Sequence, residues 1–416
     1  MRVRIHRGTH EIGGNCVEVE AEGARIVLDL GRPLWAEPDE QIPLPAVTGL
    51  DGKGEDLPLG LLLSHPHLDH YGLASGLPAR IPVFVGEDAA RLLKEAAFFT
   101  RSGIVLEPRG FLHHRTSFVL GPFRVTPFLQ DHSAFDAYSL LIEGDGRRLF
   151  YTGDFRGHGR KAALFQELLR DAPKAIDVLL TEGTQIRATT SPGGGMTTEQ
   201  ALQRRLVEVF RETPGMVLVV FSGQNIDRLV TVYRAALEAD RDLVVDLYGA
   251  SIAQATGNPN IPQPGHRRLK VIVPQNQRVR VKNAREFDRV ESIRGVRVFP
   301  DQLADAPGGR VLVYRSSLVA DLERAGCLKG ARMVWSMWEG YLREESARPL
   351  HAFLDRHGIP LTVEHTSGHA SVEDLRRLVD GLNPRRIVPM HTEAPERFAE
   401  LFDRVEIHQD GEWWEV

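Results

Sequence analysis

The sequence predicts an α/β fold in which a strand-rich part is followed by a parallel-sheet domain of its own. Three observations predict it. Candidate ligand side chains recur where strands are expected to stop, at Asp29, His65 to His70, His132 and Asp154. The tract Thr190-Ser191-Pro192-Gly193-Gly194-Gly195 reads as a linker. Beyond it helix and strand alternate, which is the pattern of a parallel sheet.

A chain of 416 residues suggests two or more domains, at roughly 100–200 residues each. Its 42 % apolar and 26 % charged residues are ordinary for a globular protein, and no apolar run is long enough for a membrane span. The opening Met1-Arg2-Val3-Arg4 lacks the apolar core of a signal peptide. Cys16 and Cys327 stand far apart without metal-type spacing, so no disulfide framework is expected and the cytoplasm is the expected compartment. A net charge of −5 argues against a protein that coats nucleic acid over its whole surface. Locally the balance differs. Between Pro264 and Arg297 ten basic side chains face three acidic ones, an excess of seven that can hold phosphates.

Taken in order, Val3–Arg7, Cys16–Glu20 and Arg25–Leu30 read as strands, with Asp29 near the end of the third. Leu59–Leu63 is a short buried strand, Ile81–Val85 another, and Asp88–Thr100 a helix capped by Asp88. Strands Ser117–Leu120 and Phe123–Phe128 lead to Asp131-His132-Ser133, and strands Tyr138–Glu143 and Arg147–Thr152 lead to Asp154. Asp177–Thr181 precedes Glu182-Gly183-Thr184. In the second domain, Thr197–Glu212 and Asn225–Ala239 are expected helices, and Met216–Phe221, Leu243–Asp246, Arg310–Arg315 and Met333–Met337 expected strands. Ser222-Gly223-Gln224-Asn225 joins a strand to a helix, where backbone amides can hold a phosphate or simply make the turn. A helix over Leu342–His357 is expected to break at Pro349. Strands Leu361–Val363 and Arg386–Met390 follow, with Ser371 and Asp374 as a near capping box between them. The tail reads as a hairpin turning at Asp410-Gly411.

The run His65-Pro66-His67-Leu68-Asp69-His70 is the densest chemical signal. Side chains two apart in extended backbone point the same way, so His65 and His67 can share one metal ion. Asp69 and His70, past the turn, can face a second. Nitrogen and oxygen donors around two cations point to metal-assisted hydrolysis.

These residues together resemble the metallo-β-lactamase-fold nucleases of the beta-CASP group, and most closely its ribonuclease J-like branch. The nest matches the signature of that fold, and Asp29, His132 and Asp154 match its other metal-side positions in order. Glu182, His369 and His391 match the three motifs that the beta-CASP group adds, and His365-Thr366-Ser367-Gly368-His369-Ala370 is similar to its phosphate-recognition motif. Members of that branch often carry Asp where Glu182 stands, and usually a further C-terminal domain, whereas this chain stops soon after His391.

The resemblance implies a metallo-β-lactamase αββα sandwich over residues 1–193 and 350–416, interrupted by an inserted beta-CASP domain over 194–349. It implies two divalent ions, Zn2+ or Mn2+. His65, His67 and His132 would hold one and Asp69, His70 and His391 the other, with Asp154 bridging and Asp29 orienting a ligand histidine. His369 would be the general acid, fixed by Glu182. His365, Ser367 and the amides of Gly368 and Ala370 would clamp a phosphate, with Ser222 and Asn225 as further contacts. The expected substrate is single-stranded nucleic acid, RNA before DNA, entering between the domains and cut 5′-to-3′ from its end. Endonucleolytic cutting and small-molecule ester or lactone hydrolysis are the alternatives.

Overall fold

The computed structural model describes residues 1–37, 40–100, 103–187 and 197–416. The linker at Thr190–Gly195, and with it the expected domain start at 194, lies outside the described residues. Of the described residues, those within Met1–Ala97, Ser102–Met196 and Gly368–Val416 form one compact unit, and those within Phe98–Arg101 and Thr197–Ser367 another.

The first unit opens with β1 (Arg2–Arg7), β2 (Cys16–Ala21), β3 (Ala24–Leu28), β4 (Leu61–Leu62), β5 (Val83–Gly86) and β6 (Gly110–Leu112). It continues with β7 (Phe118–Leu120), β8 (Phe123–Gln130), β9 (Ala137–Gly144), β10 (Arg147–Tyr151) and β11 (Val178–Glu182). The second unit holds β12 (Val217–Val220), β13 (Asp242–Asp246), β14 (Leu269–Ile272), β15 (Arg297–Val298), β16 (Arg310–Val313), β17 (Arg332–Trp335) and β18 (Leu361–Val363). Finally β19 (Arg386–Met390) and β20 (Trp413–Glu415) return to the first unit.

Two mixed sheets build the first unit, in the orders β20-β1-β2-β3-β4-β5-β6 and β19-β11-β10-β9-β8-β7. Alternation sorts each strand between layers. Leu140 and Ile142 of β9, Leu149 and Tyr151 of β10, and Val178 and Leu180 of β11 face one core, which they share with Val3, Ile5, Val19 and Leu28 of the other sheet. The intervening Leu141, Phe150 and Leu179 point outward onto Phe165 and Leu168 of helix Ala162–Arg170 and Leu375 and Leu378 of helix Val372–Leu382. On the far side, Val27, Leu61 and Val85 pack with Ala89 and Leu93 of helix Glu87–Phe99. The layers are therefore helix, sheet, sheet, helix, the expected αββα sandwich.

Every pairing in the second unit is parallel, in the order β15-β14-β13-β16-β12-β17-β18. Both faces are buried, as a parallel sheet requires. Val217 and Val219, Leu243 and Val245, and Val311 and Val313 line one core; Leu218, Val244 and Leu312 line the other.

Four expectations are corrected. The second unit runs to Ser367 rather than 349, because β18 pairs with β17 in its sheet. Pro349 does not break a helix. It sits in the first turn of helix Arg348–His357, where its missing N–H is tolerated. Asp88 lies inside the first turn of its helix, and the carboxylate that accepts from the Ala89 amide there is Asp136, at 3.0 Å. The tail is not a hairpin: β20 pairs antiparallel with β1, while Val405 bridges in parallel to Ile387.

Candidate metal centre

Strand direction explains where the site lies. Strands β8, β10, β11 and β19 all run the same way, so their C-terminal ends share one edge of the second sheet. His132 follows β8, Asp154 follows β10, Glu182 ends β11 and His391 follows β19. In the first sheet Asp29 follows β3, and the His65–His70 nest follows β4. The nest turns into the short helix Leu68–Tyr71, which carries Asp69 and His70. Gly31 makes that turn possible, since a Cβ there would fall 1.7 Å from the Asp69 carbonyl oxygen.

Two donor sets result, each with one ligand atom per residue lying within 4.8 Å of the others. His65, His67, His132 and Asp154 form the first; Asp69, His70, Asp154 and His391 form the second. Asp154 belongs to both. A third set, Asp154, Glu182, His369 and His391, overlaps them.

The donors fit divalent cations. Nε2 of His65, Nε2 of His70 and both carboxylate oxygens of Asp154 are buried and make no hydrogen bond among the described residues. Such atoms are costly to bury unless something else binds them. The other ring nitrogens are held. His132 Nδ1–H donates to the Gly368 carbonyl at 2.6 Å, and His391 Nδ1 meets Thr184 Oγ at 2.8 Å. Burial lowers the pKa of His65, His67 and His132, that of His67 to about 4, so their lone pairs stay available. Burial opposes the charge of His70 too, but Asp154, Asp29 and Asp69 outweigh it and raise its pKa.

Asp29 is fully buried behind the second set. One oxygen accepts from the Ser64 amide at 2.6 Å. The other accepts from Ser64 Oγ at 2.7 Å and Tyr151 O–H at 2.5 Å, and lies 2.8 Å from His70 Nδ1. His369 Nδ1 lies 3.2 Å from Glu182 and 3.4 Å from Asp154. Burial opposes its protonation, but Glu182 and then Asp154 outweigh it and carry its pKa up to about 9. Glu182 is itself fixed by the amides of Phe155, Thr184 and Ala370, at 3.1, 3.3 and 3.1 Å.

That last contact corrects one expectation: the Ala370 amide serves Glu182, not a substrate phosphate. A second correction concerns Ser222 and Asn225. Asn225 caps helix Ile226–Glu238 by accepting from the Arg228 amide at 2.9 Å, and its own amide donates to the Ser222 carbonyl at 3.0 Å. This is a strand–helix turn in which the Asn225 and Arg228 amides are already engaged. His365 and Ser367 fall in the second unit and Gly368 in the first. His365 Nδ1 lies 3.4 Å from Arg228 in its unit, and the Gly368 carbonyl receives His132 in the other. The basic tract is also narrower than its count. Arg268 pairs with Asp240 and Asp242, Arg289 with Glu286 and Arg294 with Glu291.

Sequence reasoning missed Ser64, Tyr151 and Thr184. Ser64 and Thr184 adjoin singled-out residues, a usable signal. Nothing local marks Tyr151, whose partner Asp29 is 122 residues away.

Comparison with known proteins agrees with this geometry. Residues 50–229 match a family described as Beta-lactamase superfamily domain, and residues 361–410 one described as Zn-dependent metallo-hydrolase RNA specificity domain. The first match spans His65 to Glu182, and the second spans His365, His369 and His391. Ribonuclease J of Mycobacterium tuberculosis is 24% identical over 413 residues, covering 94% of this chain and 68% of that protein. Ribonuclease J of Helicobacter pylori is 22% identical over 404 residues, covering 93% and 55%. The chain resembles the ribonuclease J-like hydrolases of the beta-CASP group. A crystal structure of a protein of unknown function from Enterococcus faecalis V583 shares the fold, with a TM-score of 0.80 at 20% identity over 99% of each chain. Among the described residues no helix is long and apolar enough to cross a membrane.

Proposed function

We propose that this chain hydrolyses phosphodiester bonds of single-stranded RNA at a centre of two divalent cations. The observation that carries the reading is Asp154, a buried carboxylate that makes no hydrogen bond among the described residues, has ring nitrogens of His65, His70 and His391 around its oxygens, and is common to both donor sets. His65, His67 and His132 would hold one ion, Asp69, His70 and His391 the other, with Asp154 between them. Bound there, Zn2+ or Mn2+ would supply a hydroxide at neutral pH and offset the charge on the phosphate. The protein's own groups do the rest. Asp29 holds His70 by Nδ1, which leaves Nε2 to face the second set. Glu182 holds His369 by Nδ1, so Nε2 is the nitrogen that passes a proton to the leaving 3′ oxygen. The negative charge of Glu182 beside Nδ1 favours the protonated form of His369, as an acid requires. The products carry a 5′ phosphate and a 3′ hydroxyl.

Cutting from the 5′ end is part of the proposal. It is supported by His365 and Ser367, side chains suited to a terminal phosphate, in the run that ends at His369. The test is direct. Incubate the protein with 5′-labelled RNA or single-stranded DNA and Mn2+ or Zn2+, beside an Asp69→Ala control. Mononucleotide release from RNA is expected, lost in the control. A ladder of internal fragments would replace the exonuclease reading by an endonuclease, and no cutting of either polymer would overturn the reading altogether.

A further inference from the structure

The loop after β3 displays a tryptophan beside the second donor set. Trp35 is 64% exposed, and its place is fixed by contacts that lead back to the ligands. Its Nε1–H donates to Glu11 Oε2 at 3.3 Å, and Glu11 pairs with Arg7 at 3.5 Å. Glu11 stands in the loop between β1 and β2, which is fastened at both ends. At one end the Gly8 carbonyl accepts from the His391 amide at 2.6 Å; at the other the Asn15 amide donates to the Asp69 carbonyl at 3.0 Å. The tryptophan's own loop is tied to the same region. The Arg32 amide donates at 2.9 Å to the carbonyl of Leu68, in the helix that carries Asp69 and His70, and Pro33 bridges antiparallel to Gly13. A Cβ on Gly13 would stand 2.8 Å from Leu34 Cγ and 3.3 Å from Asp69 Oδ2, so only a glycine separates Leu34 from that donor.

We propose that Trp35 is a nucleobase platform, on which the base next to the scissile phosphate stacks. The indole does not stand alone: Leu34 and Leu68 are exposed as well, and all three lie on the loops tied together around Asp69. Single apolar side chains scattered over a surface need no explanation, but three gathered at the rim of a candidate reaction centre make a contact surface. Trp35 is held by one edge through Nε1, and among the described residues no other ring and no cation lies against it. An indole held this way offers its flat faces to an incoming ring, the arrangement in which aromatic groups attract by offset stacking.

Of the parts of a nucleic acid, only the base supplies such a ring. Stacking of this kind tolerates any base and demands an unpaired one. A base seated on Trp35 would hold its nucleotide beside Asp69 and His391, so that binding away from the phosphate helps to place the phosphate over the donors. In a duplex the same base is already stacked on its neighbours, and the platform gains nothing. An aliphatic ester or lactone would not use it either.

The inference rests on the nucleic-acid reading of the metal centre, and its test separates the two. Titrate the full chain in Mn2+ with a labelled RNA pentamer whose phosphorothioate linkages resist cutting, and with the same pentamer carrying abasic ribose. Repeat with Trp35→Ala and Trp35→Phe, and assay cutting of ordinary RNA by the wild type. Trp35→Ala should bind the base-bearing pentamer roughly 5- to 150-fold more weakly than the wild type does, the span of one base–aromatic stack, and the abasic pentamer equally well. Trp35→Phe should keep most of the wild-type affinity. Equal binding of both pentamers by the wild type, or a Trp35→Ala loss that is absent or shared by both pentamers, overturns the platform, while cutting leaves the nuclease reading intact. A base-dependent loss without any cutting leaves the platform and removes the nuclease. Failure of the wild type to bind either pentamer overturns the platform as well. If Trp35→Ala does not fold, Trp35→Leu, which keeps bulk without an aromatic face, takes its place.

Discussion

Replacing Asp29 by Asn changes one atom and removes one charge, yet it should weaken one cation site far more than the other. The carboxylate is buried and meets donors on both oxygens: the Ser64 amide on one side, and Ser64 Oγ, Tyr151 O–H and His70 Nδ1 on the other. An amide must turn its NH2 toward one side. Facing His70, it forces the proton onto Nε2 and blocks the lone pair needed by the second donor set. Facing Ser64, it sets donor against donor across 2.6 Å. An unpaired buried donor costs about 1–3 kcal/mol of stability. Loss of such an orienting partner typically costs about 10- to 100-fold in metal affinity, or about 1.4–2.7 kcal/mol. Calorimetric titration of the metal-free protein with Zn2+ reads this directly. One class of site should weaken by that factor, and the class built on His65, His67 and His132 should change little. Two unaltered affinities in a folded Asp29→Asn protein would refute the orienting role.

Three further outcomes are expected. Glu182→Gln keeps an acceptor for the Phe155 and Ala370 amides, sets its NH2 against the Thr184 amide and loses the charge that holds His369, so turnover should drop by roughly 10²–10⁴ with metal content unchanged; metal loss by elemental analysis would assign Glu182 to binding instead. Arg228 and Glu199 form a fully buried ion pair at 3.1 Å, and Arg228 also donates to Ser336 and to the Thr366 carbonyl. Arg228→Met should therefore destabilise by about 3–5 kcal/mol in urea, with a milder loss when Glu199 is replaced as well; a neutral single substitution would contradict this. Burial raises the pKa of both Cys16 and Cys327, so a thiol reagent should label neither until denaturant is added. Rapid labelling of the native protein would show that one of them is accessible.

The parts legible in the sequence are those encoded by neighbours in the chain. The His65–His70 nest, the capping box at Ser371 and Asp374, and the alternation that built the parallel sheet all depend on spacings of a few residues. Long-range partners were legible only where a motif stood at both ends. His391 was found that way, but Tyr151 was not, because one tyrosine in an apolar strand resembles any core residue. The tail failed for a related reason. Asp410-Gly411 is a sound turn signal, but it cannot reveal that Trp413–Glu415 will find Arg2–Arg4 instead of the preceding segment. Ser222 and Asn225 show the opposite error, in which amides that could hold an anion were completing a helix cap.

The second donor set brings Asp69 and His391 within 3.3 Å of each other across 322 residues of chain. During synthesis, everything needed for the first set exists once residue 154 has emerged, while the second waits for residue 391. The amide of His391 is held by the Gly8 carbonyl, so the last donor docks just past the end of the strand made first. A nascent chain on the ribosome can therefore fold much of its sandwich and still lack the centre. Order of translation thus acts as a built-in delay on an activity directed at the same kind of polymer as the message being read.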